Sequence, residues 1–585
     1  MHDEQLEDEG RWPLRPVLLA IVGAFACLAV QQIGGDGSGL GAAQRALMAA
    51  IATGALAFGF TAERVRLAWS VIFAAVTAVV TGLVFWWSGA PDGGVWWVGG
   101  WSDASLLLAI AIAAPLFQTA RDQGRAAFPY DEVHAHVWTN MVLWCASWAF
   151  VGVTLALAFL LSALFELIGI DVLRDLLQKE WFVALLIGGA FGGALGLFRE
   201  REAVVRTLRR VVTAVLSVLA PVLGVGLVLF LLALPFTGLS ALWEATKATT
   251  PILLACAFGA WVLANTVIGD GVEDEATNPA LRWGAAALGA VILPLGVIAG
   301  IATGLRIEQY GFTPERLWAV VFDAIAIAVG LAYWVALARR RLRWAEGARP
   351  ANLKIAFAVA GVALLLATPI LSFNALSAHD QVARLEAGKV TPDKFDWAAL
   401  AFDFGDPGKR AVRRLAQSKN AEVVRLAKKA AAATDRWTLV ERRQAVERAS
   451  NLKQRLRVLP RPVTLPKGLQ EKLVDWNACG PQNDRRCTVL WQPGNVEAIA
   501  IAGDCAPPHE NKDGRRKLVV RQDCDVTRLT QNGDEWMIDS NRNPNLQDGD
   551  RTTVATALAR GEVSIRPVER RQVFIGGVPV GEAFE

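Results

Sequence analysis

Residues 316–341 read "RLWAVVFDAIAIAVGLAYWVALARRR". Between Arg316 and Arg339 the only charged residue is Asp323. An apolar run of about 20 residues is long enough to cross a bilayer as a helix, whose backbone hydrogen bonds are all satisfied internally. Consecutive arginines directly after such a run are typical of the cytoplasmic end of a span. This stretch therefore predicts a membrane helix in an integral membrane protein.

Ten further runs of the same kind lie on either side of this one. The eleven predicted spans are at about residues 16–33, 46–60, 67–87, 103–118, 137–163, 181–198, 211–236, 251–269, 282–304, 316–337 and 353–373. The runs 46–60 and 103–118 are short, so the sequence leaves open whether they cross fully. Composition agrees with a membrane protein, since hydrophobic residues make up 53% of the chain, charged residues 19%, and the mean hydropathy is +0.34.

The distribution of Lys and Arg predicts the orientation of the spans. With the N-terminal tail, residues 1–15, in the cytoplasm, the inside segments hold eighteen Lys or Arg and the outside loops hold six. Such a bias is what the positive-inside rule describes. The acidic segment "GDGVEDEATNP", predicted to be inside, is the weak point. An odd number of spans then places the C-terminal part outside, in the periplasm of a bacterium.

Four of the seven cysteines lie in the last fifth of the chain, at Cys479, Cys487, Cys505 and Cys524. Disulfides persist outside the cytoplasm, so these cysteines agree with the orientation that the charges predict. Four cysteines allow three connectivities. The pairs nearest in sequence, Cys479–Cys487 and Cys505–Cys524, are favoured. Zinc binding at Cys505 and His509 is an alternative, but a single short-spaced pair is a weak zinc signal.

Three polar residues are predicted at membrane depth: Asp323, Asn140 and Asn265. A charge in hydrocarbon is costly, so Asp323 should face protein or water. It could be a proton or cation site, or a hydrogen-bonded acid that fixes helix contacts. The two asparagines could hold helices together or act as partners of a functional group.

The stretch "FPYDEVHAHVWTN" (128–140) gathers a cluster of ionisable side chains before the fifth span. Its members are Tyr130, Asp131, Glu132, His134 and His136. Residues two apart lie about 200° apart around a helix, so the two histidines should face different ways, which argues against one shared metal site. A helix start at the membrane interface, a metal site and a substrate or proton role all remain open.

Small residues four apart occur in "GGAFGGALG" (188–196), where Gly188, Gly192 and Gly196 share one helix face. Such a face lets two helices approach closely. The close contact could be within the chain, between two copies, or at a gate.

Three stretches resemble a bacterial membrane family known as domain of unknown function 4153. They are "FPYDEVHAHVWTN", "YGFTPERLW" and "QVARLEAGKVTPDKFDWAALAFDFGDPGKRAV". The resemblance covers about residues 120 to 420 and implies a multi-pass protein of the bacterial envelope. It implies no activity, since none is attached to the family.

After the membrane domain, residues 16–373, the chain becomes polar. Residues 374–460 have helical periodicity, and one helix is predicted from about 435 to 459. Residues 461–585 predict a small β-rich domain. It begins with the proline-marked linker "RPVTLPKG" (461–468). A basic face is predicted on the helical part; its members are Lys409, Arg410, Arg413, Arg414, Arg425, Lys428 and Lys429. It could bind anionic lipid or an envelope polymer, or simply be solvated.

The predicted fold is thus an α-helical membrane bundle followed by an extracytoplasmic α+β domain with disulfides. The sequence contains no catalytic triad, nucleotide loop or zinc-protease motif, so it predicts no cofactor or metal and does not favour an enzyme. A net charge of +4 does not indicate nucleic acid as partner. The favoured function is an inner-membrane anchor, scaffold or sensor in contact with the lipid bilayer and with an envelope protein. A transporter or channel using Asp323, and a transferase acting on lipid-linked substrates, are the alternatives.

Overall fold

The structure is a computed structural model that describes most of the chain. The residues described are 12–35, 40–87, 100–238, 248–440, 452–476, 487–503, 505, 509–510, 519–520, 525–533, 535–542, 548–563, 571–575 and 578–584. The chain forms two compact units, Met1–Ala431 and Ala432–Glu585. The first holds the membrane helices and the second holds the sheet.

Within the described residues, eleven helices are long and apolar enough to cross a membrane, which confirms the predicted number. They are α1 (Arg15–Gly34), α2 (Ala42–Thr61), α3 (Leu67–Trp87), α4 (Trp101–Gln123), α5 (Tyr130–Glu166), α7 (Glu180–Glu200), α8 (Glu202–Thr237), α9 (Thr249–Ile268), α10 (Pro279–Tyr310), α11 (Pro314–Arg340) and α12 (Ala345–Ala367). A short helix, α6 (Val172–Leu177), connects α5 to α7. The two runs that looked short, in α2 and α4, belong to helices of 20 and 23 residues, long enough to span.

The local sequence explains where helices α10 and α11 begin. Asn278 caps α10 by accepting a hydrogen bond from Ala280 N at 2.9 Å, and Thr313 caps α11 by accepting one from Arg316 N at 3.4 Å. A proline follows each cap, at a position where its missing N–H costs nothing. The turn between the helices contains Gly311 at φ 77°, a conformation that favours glycine.

The glycine face of α7 packs against α1 of the same chain. A Cβ added to Gly188, Gly192 or Gly196 would overlap backbone atoms of Gly23, of Leu19 or of Pro16 and Arg15, respectively. The two backbones are therefore in direct contact, which is the reason only glycine fits at these three positions. The structure places the close contact within the chain.

A larger apolar core lies among α8 to α12. Leu288, Ile292 and Leu295 of α10 are at most 1% exposed. Further along the α10–α11 contact, a Cβ on Gly296 would lie 3.2 Å from Ala326 Cβ, and one on Gly330 would lie 2.5 Å from Leu293 Cα. Helices α10 and α11 thus touch through small residues along much of their length.

The described ends of the spans form two faces. We call one of them the arginine-rich face and define it by the contacts of four arginines, Arg15, Arg121, Arg199 and Arg349. At this face the loops after α2, α4, α7 and α9 lie close to the starts of α1, α5, α8 and α12. At the other face, Gln31 of α1 hydrogen-bonds Glu180 of α7 at 2.9 Å. Successive helices therefore alternate in direction, as the predicted topology requires.

A polar helical segment follows α12 within the first unit. It comprises α13 (Phe373–Glu386), a π-helical turn (Ala399–Asp403), α14 (Gly405–Leu415) and α15 (Ala421–Ala432). Val412 and Leu415 of α14 and Val423 and Ala427 of α15 are buried. Amphipathic helices of this kind form because one face is apolar at helical spacing.

The second unit contains a five-stranded sheet in the order β1-β2-β3-β6-β7. Its strands are β1 (Leu456–Leu459), β2 (Cys487–Leu490), β3 (Glu497–Ala502), β6 (Asp525–Asn532) and β7 (Glu535–Arg542); β1 and β2 are parallel and the other neighbours are antiparallel. Two further pairs are β4 (His509–Glu510) with β5 (Val519–Val520), and β8 (Arg571–Ile575) with β9 (Val578–Phe584). The sequence "VFIGGVPVG" predicts a hairpin with a Gly576–Gly577 turn; β8 and β9 are its two strands, and the turn lies outside the described residues.

Three details of this unit differ from the sequence prediction. The helix predicted from about 435 to 459 is wrong at its end, because Leu456–Leu459 forms β1; Pro460 and Pro462 directly after it cannot continue a helix. The sequence analysis also missed α16 (Lys467–Asp475) and α17 (Asp548–Arg560). Leu469 and Leu473 of α16 are fully buried four residues apart, a signal that the neighbouring prolines obscured.

The cysteines divide into two groups. Cys27, Cys145 and Cys256, all in membrane helices, are free thiols. Cys487 and Cys505 are each 1% exposed and do not belong to the free thiols. Cys479 and Cys524 lie outside the described residues, so the predicted pairing stays a prediction.

Candidate functional site: polar networks near the arginine-rich face

Five polar side chains from four helices form a connected network inside the membrane bundle. They are Tyr130 and His134 of α5, Asn265 of α9, Tyr333 of α11 and Asn352 of α12. Each lies within about two turns of the end of its helix at the arginine-rich face. We call this set the asparagine–tyrosine network.

Two asparagines are at its centre. Asn352 Nδ2 donates to Asn265 Oδ1 at 2.7 Å, and Asn265 Nδ2 donates to Tyr333 OH at 3.0 Å. Tyr333 OH donates to Asn352 Oδ1 at 3.1 Å, which closes a ring of three residues. Trp261 adds an indole N–H to Asn352 Oδ1 at 3.3 Å. The amide groups are thus satisfied by protein groups, as buried polar atoms must be.

The edge of the network involves the start of α5. Tyr130 OH lies 3.0 Å from His134 Nδ1, 3.5 Å from Asn265 Oδ1 and 3.4 Å from Asn352 Nδ2. Tyr130 and His134 are four residues apart and therefore share one helix face. Sequence reasoning missed this i,i+4 contact between Tyr130 and His134, although the spacing of the two residues is visible in the sequence.

Arg349 of α12 lies on the side of the network nearest the arginine-rich face. Its guanidinium donates to the carbonyl oxygens of Ile268 and Gly271, the latter at 2.8 Å, and to the Glu275 carboxylate at 3.0 Å. The Arg349 side chain is only 8% exposed, and a buried charge is tolerated only when it is paired. Arg349 thereby caps the C-terminal end of α9 with a positive charge, where the helix dipole favours it.

A second network lies on the other side of α5. Asn140 Nδ2 donates to Gln118 Oε1 at 2.7 Å, and Gln118 Nε2 donates to Phe60 O at 2.7 Å. His136 Nε2 lies 3.1 Å from Asp122 Oδ2, and Asp122 accepts from Arg121 at 2.6 Å. This network connects α2, α4 and α5.

The predicted cluster in residues 130–136 is therefore divided. Tyr130 and His134 belong to the asparagine–tyrosine network, His136 contacts Asp122, Glu132 accepts from Gln123, and Asp131 is exposed. Within the described residues, no three His, Cys, Asp or Glu side chains converge in a way that could hold a metal ion. The division also separates the acids and histidines that a membrane transferase would need at one point.

A third group joins the starts of α1 and α3 to the α7–α8 junction. Arg15 contacts Glu63 and, at 3.2 Å, Glu200; Arg199 contacts Glu63 and donates to Gly59 O at 2.7 Å. Two arginines and two glutamates cancel in charge. All of these groups hold helix ends together, and their donors and acceptors are largely used within the protein.

Asp323 lies apart from these networks, farther toward the other face. It is 4% exposed, and neither carboxylate oxygen has a well-formed hydrogen bond among the described residues; the hydroxyl of Thr303 in α10 is the polar group beside it. A Cβ on Gly300 of α10 would lie 4.0 Å from Asp323 Cβ, so the acid sits against the small residues of that helix. Between Asp323 and Tyr333, α11 packs through Ala326 and Gly330 on the backbone of α10, which separates the acid from the asparagine–tyrosine network by a tight apolar layer.

Three side chains of α13 hold the polar segment against the membrane helices at the other face. Asp380 of α13 accepts from Phe312 N at 2.8 Å, and Gln381 donates to the carbonyl oxygens of Tyr310 and Phe312 at 2.9 Å each. Arg384 donates to Gln309 O at 2.8 Å. These three side chains, which we call the α13 lock, bind the turn between α10 and α11.

Residues 47–404 match the family described as domain of unknown function (DUF4153). The chain belongs to this family. The match confirms the predicted resemblance and extends it toward the N-terminus, to residue 47, but it ends at residue 404, before the predicted limit of about 420. The DUF4153 segment contains all members of the asparagine–tyrosine network, Asp323 and the α13 lock, whereas α1, the basic face and the sheet lie outside it.

Comparison with curated proteins and with solved structures adds no activity to the DUF4153 assignment. No curated protein matches the chain significantly. No solved structure does so either.

Proposed function

We propose that this protein is a bacterial inner-membrane anchor that holds an extracytoplasmic interaction module in a fixed position on the bilayer. The observation that carries the proposal is the α13 lock. Its hydrogen bonds to backbone atoms of the α10–α11 turn tie the polar helices to the membrane bundle without a flexible linker. Because the partners are one backbone N–H and several backbone carbonyl oxygens, this attachment does not depend on the side chains in the turn.

The polar segment that the α13 lock holds in place carries a basic surface. Lys409, Arg410, Arg413, Lys428 and Lys429 are all exposed, as are Arg414 and Arg425. Arg414 pairs with Glu386 at 3.2 Å, and Arg425 pairs with Glu422 at 3.4 Å. Clustered cations attract anionic lipids or polymers, so the favoured partner is an anionic component of the envelope.

The orientation is part of the proposal. The excess of Lys and Arg supports a cytoplasmic location for the arginine-rich face, and the α13 lock lies at the opposite face. The second unit then lies in the periplasm, where the pairs Cys479–Cys487 and Cys505–Cys524 would form. Alkaline phosphatase fused after residue 432 is expected to be active, and the same enzyme fused after residue 343 inactive; the reverse pattern would contradict the orientation.

The interaction module can be tested by crosslinking in intact cells. A photo-crosslinking amino acid at position 413, on the basic face, is expected to form an adduct with an envelope component. Gln417, exposed on the same helical segment but not part of the basic face, is the matched control position. Absence of an adduct from every basic-face position would overturn the proposal.

The α13 lock can be tested in the same assay. The double variant Gln381→Ala, Arg384→Ala removes four hydrogen bonds to the α10–α11 turn. It is expected to weaken the adduct at position 413 while the protein remains inserted. An unchanged adduct would show that a fixed position is not required.

Transport is the second candidate, and a specific observation favours it. Asp323 is a deeply buried acid with no well-formed hydrogen bond in the part of the chain that the structure describes, and such acids often mark ion or proton pathways. The apolar layer at Ala326 and Gly330 argues against a continuous polar path to the arginine-rich face. Proton uptake by reconstituted wild-type protein that is lost in Asp323→Asn would favour transport over anchoring.

A further inference from the structure

A cavity of about 310 Å³ opens where α9 and α11 end and where α10 and α12 begin. It lies beside the asparagine–tyrosine network, at the level where the spans end. Its lining comprises Val267, Ile268, Glu275, Arg282, Trp283, Ala285, Ala286, Leu337, Arg341 and Trp344. Cavities of this size hold small molecules or parts of larger ones.

One part of the lining is apolar and belongs to the spans. Val267, Ala286 and Leu337 form walls at the ends of their helices. Trp344 is 4% exposed and packs on Tyr333 with ring centroids 5.5 Å apart, so the back of the cavity is rigid. Trp283 is 64% exposed at the cavity, as expected for a tryptophan at the level of lipid headgroups.

The other part carries two guanidinium groups and one carboxylate. Arg282 contacts Glu275 at 3.3 Å, and the same carboxylate accepts from Arg349 at 3.0 Å. One negative charge is therefore shared by two arginines. Arg341 is exposed and forms no ion pair within the described residues. The cavity consequently has an excess of positive charge.

The backbone conformation of Arg341 is unfavourable for a residue that has a side chain. Its φ is 49°, in the left-handed region that non-glycine residues rarely adopt. The residue ends α11 and begins the short 3-10 turn Arg341–Arg343. Backbone conformations of this kind occur preferentially at functional sites, which agrees with a role for the Arg341 side chain at the cavity.

We propose that this cavity binds one anionic phospholipid. The phosphate contacts Arg341 and Arg282, and the start of an acyl chain lies along Val267, Ala286 and Leu337. Guanidinium groups bind phosphate by paired hydrogen bonds, and the apolar walls continue into the hydrocarbon layer, which only a lipid occupies. The proposal is independent of the anchoring function.

Native mass spectrometry of the full chain tests the lipid site. The protein is reconstituted in an equimolar mixture of phosphatidylglycerol and phosphatidylcholine, and the retained lipids are counted. Wild type is expected to retain one phosphatidylglycerol preferentially. Arg341→Gln should lower that preference by about tenfold, since a charge-assisted contact is lost.

Arg343→Gln is the matched control because Arg343 lies on the same turn, is exposed and does not line the cavity. It should leave the preference within about twofold of wild type. Ala286→Phe fills the cavity and should abolish retention of either lipid there. Equal losses in Arg341→Gln and Arg343→Gln, or displacement of the lipid by inorganic phosphate, would overturn the proposal.

Discussion

Asn352 of α12 donates a hydrogen bond of 2.7 Å to Asn265 of α9, although the two residues are 87 positions apart in the chain. Through this contact and the bonds to Tyr333 and Tyr130, four membrane helices share one set of polar atoms. Hydrocarbon offers no alternative partner for an amide, so the network specifies which helices are neighbours.

Replacing Asn352 with leucine should destabilise the bundle. The substitution removes the acceptor of Tyr333 OH and of the Trp261 indole, and it leaves Asn265 Oδ1 with only the long contact of 3.5 Å to Tyr130 OH. Because interhelical hydrogen bonds contribute about 0.6 to 1.7 kcal/mol each, we expect a loss of about 1–3 kcal/mol, measured as thermal unfolding in detergent. Thr154→Val is the control, since Thr154 bonds only Phe150 O of its own helix. An equal effect of both variants would contradict a role for the network.

The contact of α7 with α1 should depend on the absence of a side chain at Gly192. Gly192→Ala introduces a Cβ that overlaps Leu19 backbone atoms, and we expect a loss of about 1–3 kcal/mol in the free energy of unfolding. Gly152→Ala in α5 is the matched control, because a Cβ there meets nothing within 4 Å. It should be neutral or stabilising by up to about 1 kcal/mol, since alanine favours a helix more than glycine does. Stability that does not change in Gly192→Ala would show that the helices can separate freely.

Asp323→Leu should raise thermal stability. The carboxylate has no well-formed hydrogen bond among the described residues, so its removal ends a desolvation cost and gives up at most a weak contact with the Thr303 hydroxyl. Asp323→Asn keeps a polar group of the same shape and should stabilise less. A lower midpoint of unfolding in Asp323→Leu would mean instead that the acid is held by a bound ion or water.

Asp270 should make stability depend on pH. Burial, and next the hydrogen bond and charge of Asp274, raise the pKa of the Asp270 carboxyl above its usual value. A raised pKa in the folded protein means that stability is lost as pH rises from the unfolded pKa, near 4, through the folded one. Asp270→Asn should therefore be more stable than wild type at pH 7, and the difference should vanish below about pH 4.

The control for this prediction is Glu273→Gln, an exposed acid of the same loop. Thermal unfolding of both variants between pH 4 and pH 8 gives the comparison. If Glu273→Gln stabilises as much as Asp270→Asn, the general acidity of the loop is responsible and the specific pair with Asp274 is not.

The number of spans could be predicted because hydrocarbon demands long apolar helices wherever the chain crosses. The partners of the polar residues could not be predicted in the same way. Asn352 appeared to precede the last span, since apolar periodicity begins at about residue 353, whereas α12 begins at Ala345 and contains Asn352 within its third turn. Tyr333 likewise resembles any aromatic residue in a span until α9 and α12 are packed beside it.

The same limit applies in the second unit. Strands β2, β3, β6 and β7 follow from alternating apolar residues, while α17 was missed between two strand-like runs. Val554 and Leu558 lie on one face of that helix and pack on Ile501 and Cys505. Their spacing is visible in the sequence, but a single i,i+4 pair does not identify a helix until its partner surface is known.

Four of the arginines from which the orientation is predicted are not surface charges once the chain has folded. Arg15, Arg121, Arg199 and Arg349 have side chains that are 4%, 4%, 8% and 8% exposed, each in contact with an acid. Arg15, Arg199 and Arg349 pair with Glu63 or Glu275, which lie 48, 136 and 74 positions away, so these pairs form only as the bundle folds; Arg121 pairs with its neighbour Asp122. The electrostatic potential of the folded surface therefore underestimates the positive charge that the unfolded chain carries at these positions.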